Sequence, residues 1–317
     1  MFHIGIDLGG TNIAVGVVDD QNHIVGKGRL KTMQGYSADE IMQDMAEASK
    51  MAVADAGLKI SDISDVGIAA PGNINPETEY ILYSNNIHVK NYNAVSSIKR
   101  LLGIDRCYIA NDANAAAYGE LLAGAGKGCS NFIAVTLGTG IGAGIIVDGK
   151  IYTGSNHVGA EPGHSMIIVD GERCTCGNRG CWEAYASATA LLRQTREAMQ
   201  KFSSSIMWEI AGSLEGVTGR TAFDAMRKGD EAARTVVENY IYYVSCGILN
   251  LVNIFQPEFI CIGGGICNEG ETLLSPIREY INEHDFNRNA DTRVKLCRTE
   301  LGNDAGIIGA ANLYKLA

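Results

Sequence analysis

The chain has 317 residues, with 36 Asp and Glu against 26 Lys and Arg, and the resulting formal charge of −10 excludes the basic footprint of a protein that grips DNA or an anionic membrane surface. An apolar fraction of 46% with 20% charged residues excludes a disordered or collagen-like chain, and the length suits about two domains. Glycine is the outlier: 38 residues against 5 prolines, where ~7% is usual, points to tight turns that bring backbone close to a ligand.

The opening MFHIGIDLGG has neither a basic n-region nor a long apolar stretch, so no targeting segment is expected and a cytoplasmic protein is. Three apolar pieces follow (His3–Asp7, Ile13–Asp19, His23–Thr32), broken by Gly-Gly and by Asp-Asp-Gln-Asn, and read as a strand meander. Ser37 with Glu40 at capping-box distance starts a helix over Ala38–Ala56, which Gly57 stops. Val66–Ala70 is a buried strand ending in Pro71-Gly72. A helix at Ala94–Leu102, a strand at Cys107–Ala110 and an Ala-rich helix at Asp112–Ala123 complete an α/β alternation.

After the Gly-rich stretch Gly124–Ser130 the pattern restarts. At an offset of 129, IGIDLGGTNIAVGVV (Ile4–Val18) and IAVTLGTGIGAGIIV (Ile133–Val147) share Ile, Leu, Gly, Ala and Val positions and a strand–turn–strand form, which implies two domains of like architecture. Helices are expected at Glu183–Lys201, Thr221–Met226, Asp230–Phe255, Glu271–Glu283 and Asp304–Lys315, with strands at Phe259–Ile262 and Val294–Cys297. The most apolar run, Ile241–Phe255, contains Ser245, Asn250 and Asn253 and is too short for a membrane span.

Four features bear on chemistry. No G-x-x-x-x-G-K-[ST] is present, so a P-loop is excluded. Gly138-x-Gly140-x-x-Ala143 matches a dinucleotide fingerprint on paper, but Asp148-Gly149 then turns the chain into Lys150–Tyr152, a hairpin where a helix is required. What remains is a pair of Gly-Thr turns, Gly9-Gly10-Thr11 and Gly138-Thr139-Gly140. They are either ordinary hairpin turns or backbone cradles for phosphate, with Asp7 placed to hold a hydrated Mg²⁺. Asn111-Asp112 falls where a strand gives way to a helix, so Asp112 is either a helix cap or a carboxylate at the sheet edge able to take a proton from an alcohol.

Nine cysteines, an odd number without an export signal, argue for metal or thiol chemistry over a disulfide framework. His164 with Cys174, Cys176 and Cys181 forms a Cys₃His set, the donor composition of a closed structural zinc site.

DLGGT (Asp7–Thr11), AND (Ala110–Asp112), LGTGIGAG (Leu137–Gly144), EPGH (Glu161–His164), CTCGNRGCWEAYAS (Cys174–Ser187) and IGGGI (Ile262–Ile266) together resemble the ROK family of repressors and sugar kinases, over essentially the whole chain. The resemblance implies an α/β fold of two similar actin-like or ribonuclease-H-like ATPase domains with a cleft between them. Residues 1–123 with 303–317 would form one domain, and 124–302 the other. It implies an ATP-dependent hexose kinase of the glucokinase type. N-acetylmannosamine, N-acetylglucosamine, mannose, allose and fructose are alternative substrates, and a sugar-responsive repressor is a more distant reading.

By the same resemblance Asp112 is the catalytic base, and Gly72, Asn86, Asn111, Glu161, His164 and Glu183 line the sugar. Asp7, Gly9, Gly10, Thr11, Gly138, Thr139, Gly263, Gly264 and Gly265 serve ATP, and His164, Cys174, Cys176 and Cys181 hold Zn²⁺. A homodimer without nucleic-acid or membrane partners is expected. Pro162 stands where the family has an apolar non-proline residue, and Asn85 where proline often precedes the family's Asn; both bear on the sugar loop.

Overall fold

Alternating and continuous apolar runs set the strands in chain order. β1 (Phe2–Leu8), β2 (Asn12–Asp19) and β3 (Ile24–Lys31) precede α1 (Ala38–Asp55) and β4 (Ile63–Ala70). The short strands β5 (Asn73–Asn75), β6 (Tyr80–Ser84) and β7 (Val89–Asn93) lead to α2 (Ala94–Leu102), β8 (Cys107–Asn111) and α3 (Asp112–Ala123). β9 (Phe132–Leu137), β10 (Ile141–Val147) and β11 (Lys150–Ile151) open the second half. Then come α4 (Glu183–Ala186), α5 (Ala188–Lys201), α6 (Met207–Ala211), α7 (Thr221–Arg227) and α8 (Glu231–Phe255). β12 (Phe259–Gly263), α9 (Glu271–His284), β13 (Lys295–Arg298) and α10 (Ala305–Ala311) finish the chain.

The computed structural model describes residues 1–317 and separates into two units, 1–134 with 144–160 and 299–317, and 135–143 with 161–298. Residues 124–134 and 144–160 group with the first unit, where the sequence expectation placed them in the second. Part of the reason is Gly144, whose Cβ, if present, would lie 2.3 Å from that of Ala117 in α3.

Two five-stranded sheets share one plan. Their orders are β3-β2-β1-β4-β8 and β11-β10-β9-β12-β13, so the repeat at offset 129 extends to the topology around it. β1 pairs antiparallel with β2 and parallel with β4, and β4 parallel with β8. The carboxyl ends of β1, β4 and β8 therefore come level: Asp7 lies opposite Ala69, and Ala69 opposite Ala110.

α1 begins at the expected capping box, with Glu40 N–H donating to Ser37 Oγ and Ser37 N–H to the Glu40 carboxylate. It buries Ile41, Met42, Met45 and Val53 on the sheet with Ile4, Ile6 and Leu8, aliphatics worth roughly 1.5–3 kcal/mol each when fully buried. α10 crosses the opposite face, and Gly67 permits it, because a Cβ there would meet the Ala310 carbonyl at 1.8 Å.

Two helix expectations are corrected, and one sheet was not expected at all. β5, β6 and β7 form an unforeseen antiparallel sheet, its first hairpin turned by Asn75 Oδ1 accepting from Glu77 and Thr78 N–H. The helix expected over Glu183–Lys201 is two, because Ser187 leaves helical geometry and its hydroxyl caps Ala190 N–H to begin α5. The helix expected over Asp304–Lys315 is α only at α10. Asn312 departs from helical geometry there, and its side-chain amide donates to the Ile308 carbonyl.

Candidate active site

In the first unit the sheet edge gathers the residues singled out from sequence. Asn111 caps α3, its Oδ1 accepting from Ala113 N–H at 2.9 Å and Asn114 N–H at 3.2 Å. The cap is therefore Asn111, which leaves Asp112 free of that role in the first helical turn. Asp112 accepts Ala113 N–H at 2.8 Å, and burial raises its carboxyl above the ordinary range against the hydrogen bonds it receives from Ala113, its own N–H and the Asn111 side chain. Asp7 is pushed up to about 6, first by burial and then by the Asp112 carboxylate. Two neighbouring acids, both raised by burial at a sheet's carboxyl edge, form a place where a cation or a proton is welcome.

The neighbouring loops complete this half. The Asn111 amide donates to the Gly72 carbonyl at 3.1 Å, and Gly72 has φ +104° at the bend after β4. The Gly9-Gly10-Thr11 turn closes through Gly9 N–H to the Asn12 carbonyl at 2.9 Å, while Thr32 Oγ1 donates to the Gly9 carbonyl at 2.7 Å. A Cβ on Gly10 would stand 3.4 Å from Asn86, which places that exposed amide beside the turn. Asn85 is exposed within the same turn after β6. A cavity of about 900 Å³ flanks β8 within this unit and shares Asn111 with the set.

In the second unit the Gly138-Thr139-Gly140 turn leads into strand β10, so the dinucleotide reading stays excluded, and β10 turns back at Asp148-Gly149 to pair with β11. Gly264, φ +98°, lies against the start of that turn, since a Cβ there would meet the Leu137 carbonyl at 2.2 Å. Gly263 is buried beneath it while Gly264 and Gly265 are exposed. The Glu161–His164 segment is a single 3₁₀ turn, closed by His164 N–H to the Glu161 carbonyl. Pro162 takes the first position of this turn, where its missing N–H costs nothing, so the departure from the family pattern is accommodated. Gly163 sits on β10, and Glu161 and His164 are exposed.

His164, Cys174, Cys176 and Cys181 place their ligand atoms within 4.8 Å of one another. Cys176 Sγ and Cys181 Sγ are 3.7 Å apart, as are Cys174 Sγ and His164 Nδ1. A tetrahedral ion with bonds of ~2.3 Å to sulfur has sulfur–sulfur edges of about 3.8 Å, so the spacing fits zinc. Burial and hydrogen bonds from its neighbours push the Cys181 thiol up to about 12, so the thiols cannot all ionise together without a cation. His164 faces the cluster through Nδ1, which leaves Nε2 for another partner. Glu183 adjoins the cluster, accepting from Thr175 Oγ1 at 3.2 Å and from the Cys174 thiol at 3.6 Å. Trp182 anchors this stretch, fully buried against Gly247 with Nε1–H donating to the Tyr243 carbonyl.

A model of the ROK family matches residues 3–317. The chain belongs to the ROK family. A glucokinase from Thermotoga maritima is 36% identical over 316 residues, covering 98% of this chain and 96% of the relative. A glucokinase from Halalkalibacterium halodurans is 34% identical over 99% of this chain and 95% of its own length. The crystal structure of a ROK family glucokinase from Streptomyces griseus in complex with glucose and AMPPNP superposes with a TM-score of 0.82 at 32% identity, with both chains fully covered. The mixed α/β fold is that of the ROK sugar kinases. No helix is long and apolar enough to cross a membrane.

Sequence reasoning did not reach Thr32, Thr189 or Ser187, each of which shapes one of these loops. The hydroxyl partners of Thr32 and Thr189 lie in other segments, and Ser187 caps Ala190 N–H inside what read as one continuous helix.

Proposed function

We propose that the chain is an ATP-dependent hexose kinase of the glucokinase type, with glucose phosphorylated at the 6-hydroxyl. Full-length identity of 36% to a glucokinase supports the activity, and the observation that carries the residue assignment is Asp112, half-buried beside Asp7 and released from capping by Asn111. In this reading the Asp112 carboxylate accepts the proton of the sugar hydroxyl as its oxygen bonds to the γ-phosphorus and the bond to ADP breaks. A raised pKa brings that base nearer to working pH.

Asn111, Gly72, Asn86, Glu161, His164 and Glu183 are the residues we assign to the sugar hydroxyls. Gly9, Gly10, Thr11, Gly138 and Thr139 offer backbone and hydroxyl groups to the phosphates, and Gly263, Gly264 and Gly265 the turn beside the nucleotide. Asp7 would hold a hydrated Mg²⁺, which neutralises charge on the transferring phosphoryl group. The Cys₃His set would hold a structural Zn²⁺ that fixes where His164 and Glu183 point, leaving no open position for chemistry. We also infer two domains bounded near 123 and 303, a cytoplasmic location, consistent with nine cysteines that form no disulfide, and a homodimer.

A coupled ADP-release assay over hexoses and N-acetylhexosamines tests the activity. Glucose is expected to head the panel; a preference of about tenfold or more for an N-acetylated sugar would move the enzyme to another branch of the family's substrates.

A further inference from the structure

The Gly138-Thr139-Gly140 turn is held at every peptide plane by residues outside it. Ala188 N–H donates to the Gly138 carbonyl at 2.9 Å, and Thr189 Oγ1 to the Thr139 carbonyl at 2.7 Å. Ile141 N–H donates to Glu183 Oε2 at 2.9 Å, while the Gly140 carbonyl accepts Gly138 N–H at 3.0 Å. In a trans peptide the carbonyl and the following N–H point opposite ways. Fixing the Gly138 and Thr139 carbonyls toward α5 therefore turns the Thr139 and Gly140 N–H groups to the far side of the turn. Two successive amides aimed one way form a nest for an anion.

Glu183 reaches this position because residue 140 has no side chain: a Cβ on Gly140 would lie 2.2 Å from Glu183 Oε2. Its other oxygen faces Thr175 and Cys174 in the cysteine loop. One carboxylate thus joins the metal-ligand loop to the turn.

We infer that Thr189 and Glu183 are positioning residues for ATP: they set the direction of the amides in the Gly138–Gly140 turn, and Glu183 links that turn to the cysteine cluster. The inference rests on the reading that this turn receives the phosphates, and it gives Glu183 a task beyond the sugar hydroxyl assigned to it above.

Nucleotide affinity in the absence of sugar separates the two tasks. AMPPNP binding to the holoenzyme is measured by calorimetry without glucose, and glucose binding without nucleotide. Thr189→Val loses a neutral hydrogen bond and is expected to weaken AMPPNP about threefold with glucose affinity unchanged, and Thr189→Ser to restore it. Glu183→Ala loses a charged acceptor and is expected to weaken AMPPNP about tenfold, with Glu183→Gln between, because its carbonyl still accepts Ile141 N–H. Unchanged AMPPNP affinity in Thr189→Val overturns the inference, as does a folded Glu183→Ala that loses glucose affinity alone. Should Glu183→Ala fail to fold, the Thr189 pair decides. Failure of the wild type to phosphorylate any sugar would overturn the proposed kinase while leaving this binding test intact.

Discussion

The turn after β1 and the turn after β9 occupy matching places in two sheets of the same order, yet they obtain their carboxylates differently. The first carries its own: Asp7 lies in β1, two residues before Gly9. At an offset of 129 its counterpart is Thr136, which has no charge to offer, and the second turn is served instead by Glu183, 42 residues beyond Ile141. In both, a threonine hydroxyl from a distant segment holds a turn carbonyl at 2.7 Å, Thr32 in one and Thr189 in the other. The shared backbone device fixes amides; the acid is the part that differs. Where it sits in the strand it is buried beside Asp112, and where it is imported it ties the turn to the cysteine loop.

The largest effect that would break this contrast concerns the first sheet edge. Asp112→Asn keeps the shape and most hydrogen bonding but cannot accept a proton, so kcat should fall about 100-fold or more while glucose binding persists. Near wild-type turnover would remove the base from this edge and, with it, the functional difference between the two halves.

Next comes the imported carboxylate. Cys176→Ser, or strong chelation, should release the loop that carries Glu183 and His164. The expected result is a glucose KM raised about tenfold and a lower Tm, because binding energy at a structural metal is partly folding energy. Elemental analysis should give about one zinc per chain. Zinc-free protein with unchanged glucose affinity and Tm would return the cysteines to a packing role.

The smallest effect sharpens the in-strand acid. Asp7 has a folded pKa of about 6 against an ordinary 3.8, so the folded state holds this proton more tightly than the unfolded state. Its contribution is neutral below about pH 4. It turns unfavourable as pH rises toward 6 and is fully unfavourable above that. Asp7→Asn should therefore be more stable than wild type at pH 7.5 by up to about 3 kcal/mol, with the advantage nearly gone near pH 4, in denaturant titrations without divalent metal. An advantage that persists unchanged at pH 4 would mean Asp7 is not strained by burial and Asp112.

Much of the scaffold was legible because its signals are local. Ser37 with Glu40 starts a helix, Asp148-Gly149 turns a hairpin, and three cysteines within eight residues require a common partner. The repeat was legible because glycine and aliphatic residues return at one spacing. The strands β5, β6 and β7 were not: three to five residues rich in Asn and Tyr give no periodicity to count. Nor were the threonine clamps, since Thr189 and Thr139 are 50 residues apart. The ligand assignments around Asn86 and Glu161 came from resemblance alone, because exposed polar side chains in turns carry no chemical signal of their own.

α10 has a bearing on how the molecule is assembled on the ribosome. It covers the face of β1 and β4 opposite α1, packing Ile307 and Ala311 with Val18, and Ala310 with Ala69 and Ala115. Asn312 beside it donates to Asn22 across a separation of 290 residues. The nascent first unit must therefore keep one apolar sheet face uncovered while nearly the whole chain is made. Residues 161–298, including the cysteine loop, emerge before the closing helix does. The second unit is thus free to fold first although its sequence comes later, and the half that synthesis begins is the half it completes last.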